Sequence, residues 1–354
     1  MQCRRRPAMA NLRLRHLLAF LLLLSVSDAV VNSCTPSDRE ALLAVKSALV
    51  DERHMGVFST WSGTACCSGW YGVSCDPTDG RVTDITLRGE SEHPLVSGRP
   101  GFMSGHLSPS LCRLDRLTTL VLADWRHVSG PIPSCLPSSL PHLRVLDLTG
   151  NQVSGPIPRS LPALSSLMHL DLTNNRITGD IPANFGDLGM LSRALLGGNL
   201  LTGDIPTSIG NMNRLADLDL GRNQISGEIP ESLGGMRVLS TLYLEGNGLS
   251  GRIPGSLLAN RGLSIVNLSR NELVGEIPDV FHERSYFTTL DLSYNLLTGK
   301  VPATLRAAAF VGHLDLSHNQ LCGHIPQGEP FDHLQAASFS GNDCLCGGPL
   351  PRCT

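Results

Sequence analysis

Apolar positions recur along this chain in one fixed figure. In a representative copy Leu143, Leu146, Leu148, Val153, Ile157, Leu161 and Leu164 are apolar, with polar residues, glycine and proline between them. Leu146 and Leu148 alternate with polar neighbours, the period of a short strand with one face turned inward. Asn151 follows where that strand ends. Its amide carries two donor protons and an acceptor oxygen, enough to satisfy turn backbone and to form a ladder with its copies. Gly155 permits a bend closed to other residues. Ile157 buries, and Pro158 fixes an extended path into a return segment near Leu161 and Leu164, expected to be 3₁₀ or loosely helical.

The figure returns every 24 residues. The ladder asparagines are Asn151, Asn175, Asn199, Asn223, Asn247, Asn271, Asn295 and Asn319, and a proline follows each by seven residues, from Pro158 to Pro326. Such a period predicts one supersecondary unit stacked on itself. Less regular copies precede it. Val82, Ile85 and Leu87 read as a first strand; Leu117, Leu120, Leu122, Ile132 and Pro133 form a second copy in which Trp125 or Arg126 stands where asparagine should be. That gives ten repeats and a sheet face about 48 Å long at ~4.8 Å per strand. Residues 88–103, rich in Gly, Pro and Ser, read as a loop inserted between the first two copies.

A stacked unit cannot bury its own end, so the array needs caps. Thr35-Pro36-Ser37-Asp38 opens a helix, with Thr35 as N-cap and Pro36 at its first position. Leu42, Leu43, Leu49 and Val50 give that helix an apolar side, and it reads as a lid without chemistry of its own. Four cysteines (Cys34, Cys66, Cys67, Cys75) precede the repeats and four (Cys322, Cys344, Cys346, Cys353) close them, with Cys112 and Cys135 in the early repeats. Bonds of Cys34 to Cys66, Cys67 to Cys75, Cys322 to Cys344 and Cys346 to Cys353 would tie both lids down, although the sequence alone leaves the partners open. Zinc is the rival use, and Cys344-Leu-Cys346 lacks the usual two-residue ligand spacing.

Charge and the amino terminus set the compartment. Arg4, Arg5, Arg6, Arg13 and Arg15 precede an apolar stretch at residues 17–26, and Ser27 and Ala29 suit a signal peptidase. The expectation is a secretory signal over residues 1–29, whose apolar stretch is too short to span a bilayer; a plastid transit peptide is the alternative. An even set of ten remaining cysteines favours an oxidising compartment. Past residue 33 the chain holds 23 basic against 30 acidic residues, and Lys46 and Lys300 are its lysines. An acidic surface repels phosphate backbones and argues against nucleic acid as partner. No apolar run long enough for a membrane span or a hydrophobic tail is expected after the signal. The expected organisation is therefore a cap at 34–76, repeats at 77–326 and a closing cap at 327–354.

These residues resemble the plant-specific leucine-rich-repeat family, whose signature is the LxGxIP half of the unit, and the resemblance covers residues 34–354. Cys34, Trp61, Cys66-Cys67 and Trp70-Tyr71-Gly72-Val73-Ser74-Cys75 match the plant entry cap. Both cysteine caps, down to Leu345-Cys346-Gly347-Gly348-Pro349-Leu350-Pro351, are similar to those of polygalacturonase-inhibiting proteins, and that likeness implies the four cap pairings named above. A nearer likeness is to the DNA-damage-repair/toleration group. It rests on Val121-Leu122-Ala123-Asp124-Trp125, Leu191-Ser192-Arg193-Ala194-Leu195-Leu196-Gly197, Leu215-Ala216-Asp217-Leu218-Asp219-Leu220 and Phe310-Val311-Gly312-His313-Leu314-Asp315, together with Cys112 and Cys135 as a fifth pair. The implied fold is an α/β repeat solenoid: a right-handed leucine-rich-repeat superhelix with a parallel concave β-sheet, about ten 24-residue repeats and disulfide-capped ends.

Function is then expected on the concave face. Between the two inward leucines the column runs Thr86, Val121, Asp147, Asp171, Leu195, Asp219, Tyr243, Asn267, Asp291, Asp315. Its aspartates suggest a groove for a basic partner, or plain consensus residues that bond the next Thr or Ser. Departures from that consensus mark the candidate partner-binding residues: Trp125, Arg126, His169, Arg193, Leu195, Arg222, Tyr243, Glu245, Arg270, Tyr294, His313 and His318, because Tyr and Arg are enriched at binding hot spots. Asn267-Leu268-Ser269 is a glycosylation sequon on the same face. Enzyme motifs are absent: no Gly-Xaa-Ser-Xaa-Gly elbow, HExxH, Walker loop or dinucleotide fingerprint occurs. Asp147 and Asp171 imitate a glycosidase pair in spacing, but an open sheet supplies no pocket. The expected partner is an extracellular protein or peptide, a pathogen polygalacturonase or a receptor ectodomain among them, with no cofactor, metal or nucleic acid.

Overall fold

A computed structural model describes residues 33–52, 56–89 and 102–353. The expected signal and most of the 88–103 insertion lie outside the described residues. Ten parallel strands, from Val82–Arg88 through Val145–Asp147 and Asp217–Asp219 to Phe310–Asp315, form the main sheet in chain order. Val73–Cys75 joins its first edge antiparallel. Each strand is short because only the Leu-x-Leu core of a repeat is flat. The inward leucines (Leu146 and Leu148, Leu170 and Leu172, Leu218 and Leu220) are fully buried and stack into one continuous core. The return segments are mostly 3₁₀ turns such as Leu161–Ala163 and Glu231–Gly235.

Asparagine holds consecutive coils together, through backbone and not through a neighbouring amide. Asn223 Nδ2 donates to Leu196 O of the preceding coil at 3.1 Å and to Leu220 O of its own at 3.0 Å, while its Oδ1 accepts from Leu201 N at 3.0 Å. The pattern repeats from Asn151 to Asn319. Asn342 in the closing cap is a ninth member that the 24-residue period misses. It accepts from Leu321 N at 2.9 Å and donates to Leu316 O at 3.0 Å.

Trp125 takes the asparagine's place in the second repeat, where its indole Nε1 donates to Leu87 O at 2.9 Å. It is fully buried, which removes it from the partner-binding candidates. Its bulk reaches the carbonyl that an amide reaches elsewhere, and its backbone N–H donates to Asn151 Oδ1.

The LxGxIP half forms strands too, a feature the sequence reading lacked. Met103–His106, Arg126–Gly130, Gln152–Pro156, Arg176–Asp180 and Leu200–Thr202 pair in parallel on the opposite flank, and a further four-stranded group ends at Cys344–Cys346. Glycine is required there twice over. Gly227 and Gly251 have φ +75° and +74°, and a Cβ at either would strike the Asp204 or Glu228 side chain of the preceding coil. Arg126 belongs to this flank, on the strand Arg126–Gly130, so it stands off the main sheet on which it was expected.

Four disulfides close the ends, Cys34–Cys66, Cys67–Cys75, Cys322–Cys344 and Cys346–Cys353, and a fifth, Cys112–Cys135, links two early coils. The entry cap has a second lock. Asp38, wholly buried in the helix Pro36–Ser47, accepts from Arg81 Nε at 2.9 Å, Arg81 Nη2 at 3.1 Å and Val82 N at 2.9 Å. A carboxylate taken out of water needs this many donors. The helix is thus riveted to the first strand.

Candidate binding strip on the concave sheet

The strand register sets a grid of outward side chains. Thr86, Val121, Asp147, Asp171, Leu195, Asp219, Tyr243, Asn267, Asp291 and Asp315 pair in turn across the ten strands as one column. The column two residues earlier holds His169, Arg193, Asp217 and His313. The column two residues later holds Thr149, Thr173, Gly197, Gly221, Glu245, Ser269, Ser293 and Ser317.

Most of the aspartates are committed to the fold. Asp171, Asp291 and Asp315 each accept from the backbone N–H two residues on, at 2.9, 3.0 and 2.9 Å. Ser293 Oγ also donates to Asp291, whereas Thr149 Oγ1 donates to Thr173 O instead. Asp147 is buried and bound by Arg88, which reaches across the intervening strand. It is therefore not half of an accessible carboxylate pair with Asp171.

The middle of the strip differs. Gly197 and Gly221 leave hollows, and a Cβ at either would lie 2.6 Å from the carboxylate of Asp219 or Glu245, which fill them. Burial pushes both carboxyls above their ordinary pKa. For Asp219 the Gly221 N–H and Arg222 oppose the shift and Asp171 adds to it; for Glu245 the charges of Asp219 and Asp291 add to it. Glu245's own backbone N–H and Arg222, exposed and 3.9 Å away, oppose that rise without cancelling it. Glu245 Oε2 is buried and has no hydrogen-bond partner among the described residues. Beside this pair, Arg193 bridges to Asp217 at 3.0 Å. Arg193, Leu195, Asp219, Tyr243 and Glu245 thus lie on three adjacent strands.

Arg222, Arg270, Tyr294 and His318 occupy a different place. Each precedes a ladder asparagine in the left-handed turn, with φ between 53° and 57°, where other repeats use Gly150, Gly198 or Gly246. Bulky residues there are strained. Stacking offsets part of that strain: the Arg270 guanidinium lies 4.3 Å from the Tyr294 ring centre, and Tyr294 and His318 stack at 4.0 Å.

At the opposite end of the same strands the sequence reading missed Tyr286 and Phe310. They stack at 4.9 Å and are 50% and 43% exposed, at the start of two six-residue strands that pair with each other. Their signal was the spacing itself, two aromatics 24 residues apart one step before a buried Phe287 and Val311.

Comparison with known proteins follows this geometry. A leucine-rich-repeat N-terminal domain model matches residues 35–76, and a leucine-rich-repeat model matches 141–201, 191–249 and 261–321. The DNA damage-repair/toleration protein DRT100 of Arabidopsis thaliana is 55% identical over 128 residues, 35% of this chain and 34% of that protein. A polygalacturonase inhibitor of Vitis vinifera is 33% identical over 133 residues, 38% of this chain and 35% of that protein. The matched stretches span about a third of these relatives. Among solved structures, a plant ice-binding protein superposes with a TM-score of 0.78 at 29% identity, covering 91% of this chain and 99% of that one. PEPR1–AtPEP1 gives 0.69 at 31% identity, covering 82% and 43%.

Proposed function

The chain belongs to the plant leucine-rich-repeat proteins, and from that premise we propose that it is an exported, non-enzymatic protein of the cell wall that binds a protein or peptide through its concave strip. The observation that carries this reading is the cluster Arg193, Leu195, Asp219, Tyr243 and Glu245. Asp219 accepts the turn N–H of Gly221, but the repeat does not need the other four side chains, and Glu245 buries a carboxylate oxygen that has no partner among the described residues. Native interiors leave few such groups, and a ligand donor is one way to satisfy this one. Solved relatives that carry peptides on this fold, PEPR1 with AtPEP1 and HAESA with IDA, support the ligand class.

The test is capture of extracellular proteins by the wild-type chain and by the double variant Arg193→Ala, Tyr243→Ala. Partners retained by wild type should fall at least tenfold on the variant, since two hot-spot truncations remove about 2 kcal/mol or more. Equal recovery on both overturns the strip as the site.

A second reading, inhibition of a pathogen polygalacturonase, is favoured by disulfides closing both ends and by the similar inhibitors. Assay against a panel of fungal polygalacturonases decides it, and no inhibition of any retires it. The name of the 55% identical relative suggests a role in DNA damage. The strip's carboxylates oppose contact with phosphates. Salt-dependent binding of DNA by the chain would restore that reading.

A further inference from the structure

We propose that Asn267 carries an N-linked glycan, and that this glycan divides the concave strip and confines the partner to its amino-terminal part. The inference rests on the export reading above. Asn267 is the central outward residue of the strand Ile265–Asn267, between Tyr243 on one neighbouring strand and Asp291 on the other. At the equivalent positions of other repeats an aspartate uses one oxygen to accept the N–H two residues on. Asn267 does the same: its Oδ1 accepts from Ser269 N at 3.0 Å and from Ser269 Oγ at 2.7 Å.

The fold therefore uses only the carbonyl half of this amide. Nδ2 donates to no group among the described residues, and the side chain is partly exposed on the open face. An aspartate would serve the turn equally well. Asparagine adds only an acceptor nitrogen, and Ser269 completes the sequon. The modification balances simply. The Nδ2–C1 bond forms, the C1–O bond to a lipid-pyrophosphate oligosaccharide donor breaks, and the amide loses one proton. Oδ1 and its two bonds are untouched, so the glycosylated chain keeps its turn.

A glycan is bulky and hydrated. Rooted at Asn267, it stands about 5 Å from Tyr243 and from Asp291, one strand spacing on either side. The rows beyond it toward Phe310 become a separate, short compartment. The long open stretch runs from Thr86 to Tyr243, whose ring borders the glycan and ends the partner's side of the strip.

The full chain is expressed in plant cells and recovered from the medium. Peptide mass spectrometry after enzymatic deglycosylation in heavy-oxygen water reads occupancy at Asn267. Occupancy should exceed half of the exported chain, disappear in Asn267→Asp and in Ser269→Ala, and survive in Ser269→Thr. Asn267→Asp recreates the residue used at Asp291, so it folds. Hydroxyl-radical labelling of Tyr243 should run measurably slower in the glycosylated chain than in Asn267→Asp, because the glycan flanks the ring on one side and leaves the side toward Asp219 open. Exported chain unmodified at Asn267 overturns this proposal alone. Failure of the chain to reach the medium overturns the export reading and takes this one with it. Equal labelling of Tyr243 in both forms overturns the division of the strip.

Discussion

The solenoid contains two polar networks that obey the same period and behave in opposite ways. The inner one is the asparagine seam, with the Asp38 rivet at its mouth. Its carboxylate and its amides, Asn247 apart, are buried, and the amides bond fixed backbone atoms. The outer one is the concave strip, whose side chains change from coil to coil and whose middle leaves a carboxylate oxygen unsatisfied. In the seam, one residue type solves a problem of backbone geometry, and among the described residues the substitute is Trp125, which reaches the same carbonyl. In the strip, the backbone is already satisfied by strand pairing. Variation there is free to answer to something outside the chain. Position in a repeat, more than chemistry, separates what holds the fold from what is available for binding.

The largest effects are expected inside. Asp38→Ala leaves Val82 N–H without its buried acceptor and Arg81 with only the exposed Asp115, so the loss should sit at the low end of the range for breaking a buried pair, about 3 kcal/mol. Chemical denaturation should show the entry cap releasing first. Asn223→Ala strands Leu201 N–H and two carbonyls at ~1–3 kcal/mol per unmet group, some of it recovered by water, for a net loss of about 3 kcal/mol. Because neighbouring coils support one another, hydrogen exchange should speed up in the coils flanking Asn223 before those at either end. If both variants unfold like wild type, the seam is not the source of cohesion.

Much of the seam was legible in the sequence because its cause is local. A strand of period two, a turn and an amide at fixed spacing specify both the inward leucines and the outward column, and the register follows once coils stack. Trp125 was misplaced because an aromatic at an asparagine position reads as a departure for binding. Its role depends on the distance to Leu87 O, which sequence does not encode. The second sheet escaped notice since glycine and proline read as breakers, yet here they sit where φ is positive or where a strand ends. Asp38 already had a sufficient explanation as part of a helix start, so its partner 43 residues away went unsought. The hollow over Gly221 and the stranded oxygen of Glu245 are properties of three coils together.

The turn column before each asparagine lies between the two networks and should respond weakly. Replacing Arg270, Tyr294 and His318 together by glycine relieves left-handed strain of about 1 kcal/mol or more at each turn. The same change forfeits a ring stack worth ~0.5–1.5 kcal/mol and a cation–π contact worth ~0.5–1. It also frees the unfolded chain, by ~0.4–1 kcal/mol per site. These nearly cancel, so stability should move by no more than about 2 kcal/mol for three substitutions, less than for Asn223→Ala alone. A loss above that would place these side chains with the seam.

The smallest effect is a pH-dependent one at Glu245. Its carboxyl is raised in the folded chain, chiefly by burial and then by Asp219 and Asp291. The folded chain therefore holds this proton more tightly than the unfolded one. The stabilisation from that proton is fully present below the unfolded pKa and is lost as pH rises through the folded value. At neutral pH the ionised group is a burden. Glu245→Gln, which keeps shape and removes charge, should stabilise the chain there by under ~1 kcal/mol, in keeping with a partly buried position. The advantage should vanish toward about pH 4, where the native carboxyl is protonated as well. Melting temperatures of both chains across that range decide the matter. Parallel curves would mean that Arg222, or water, already neutralises Glu245 and that the strip's middle is as satisfied as the seam.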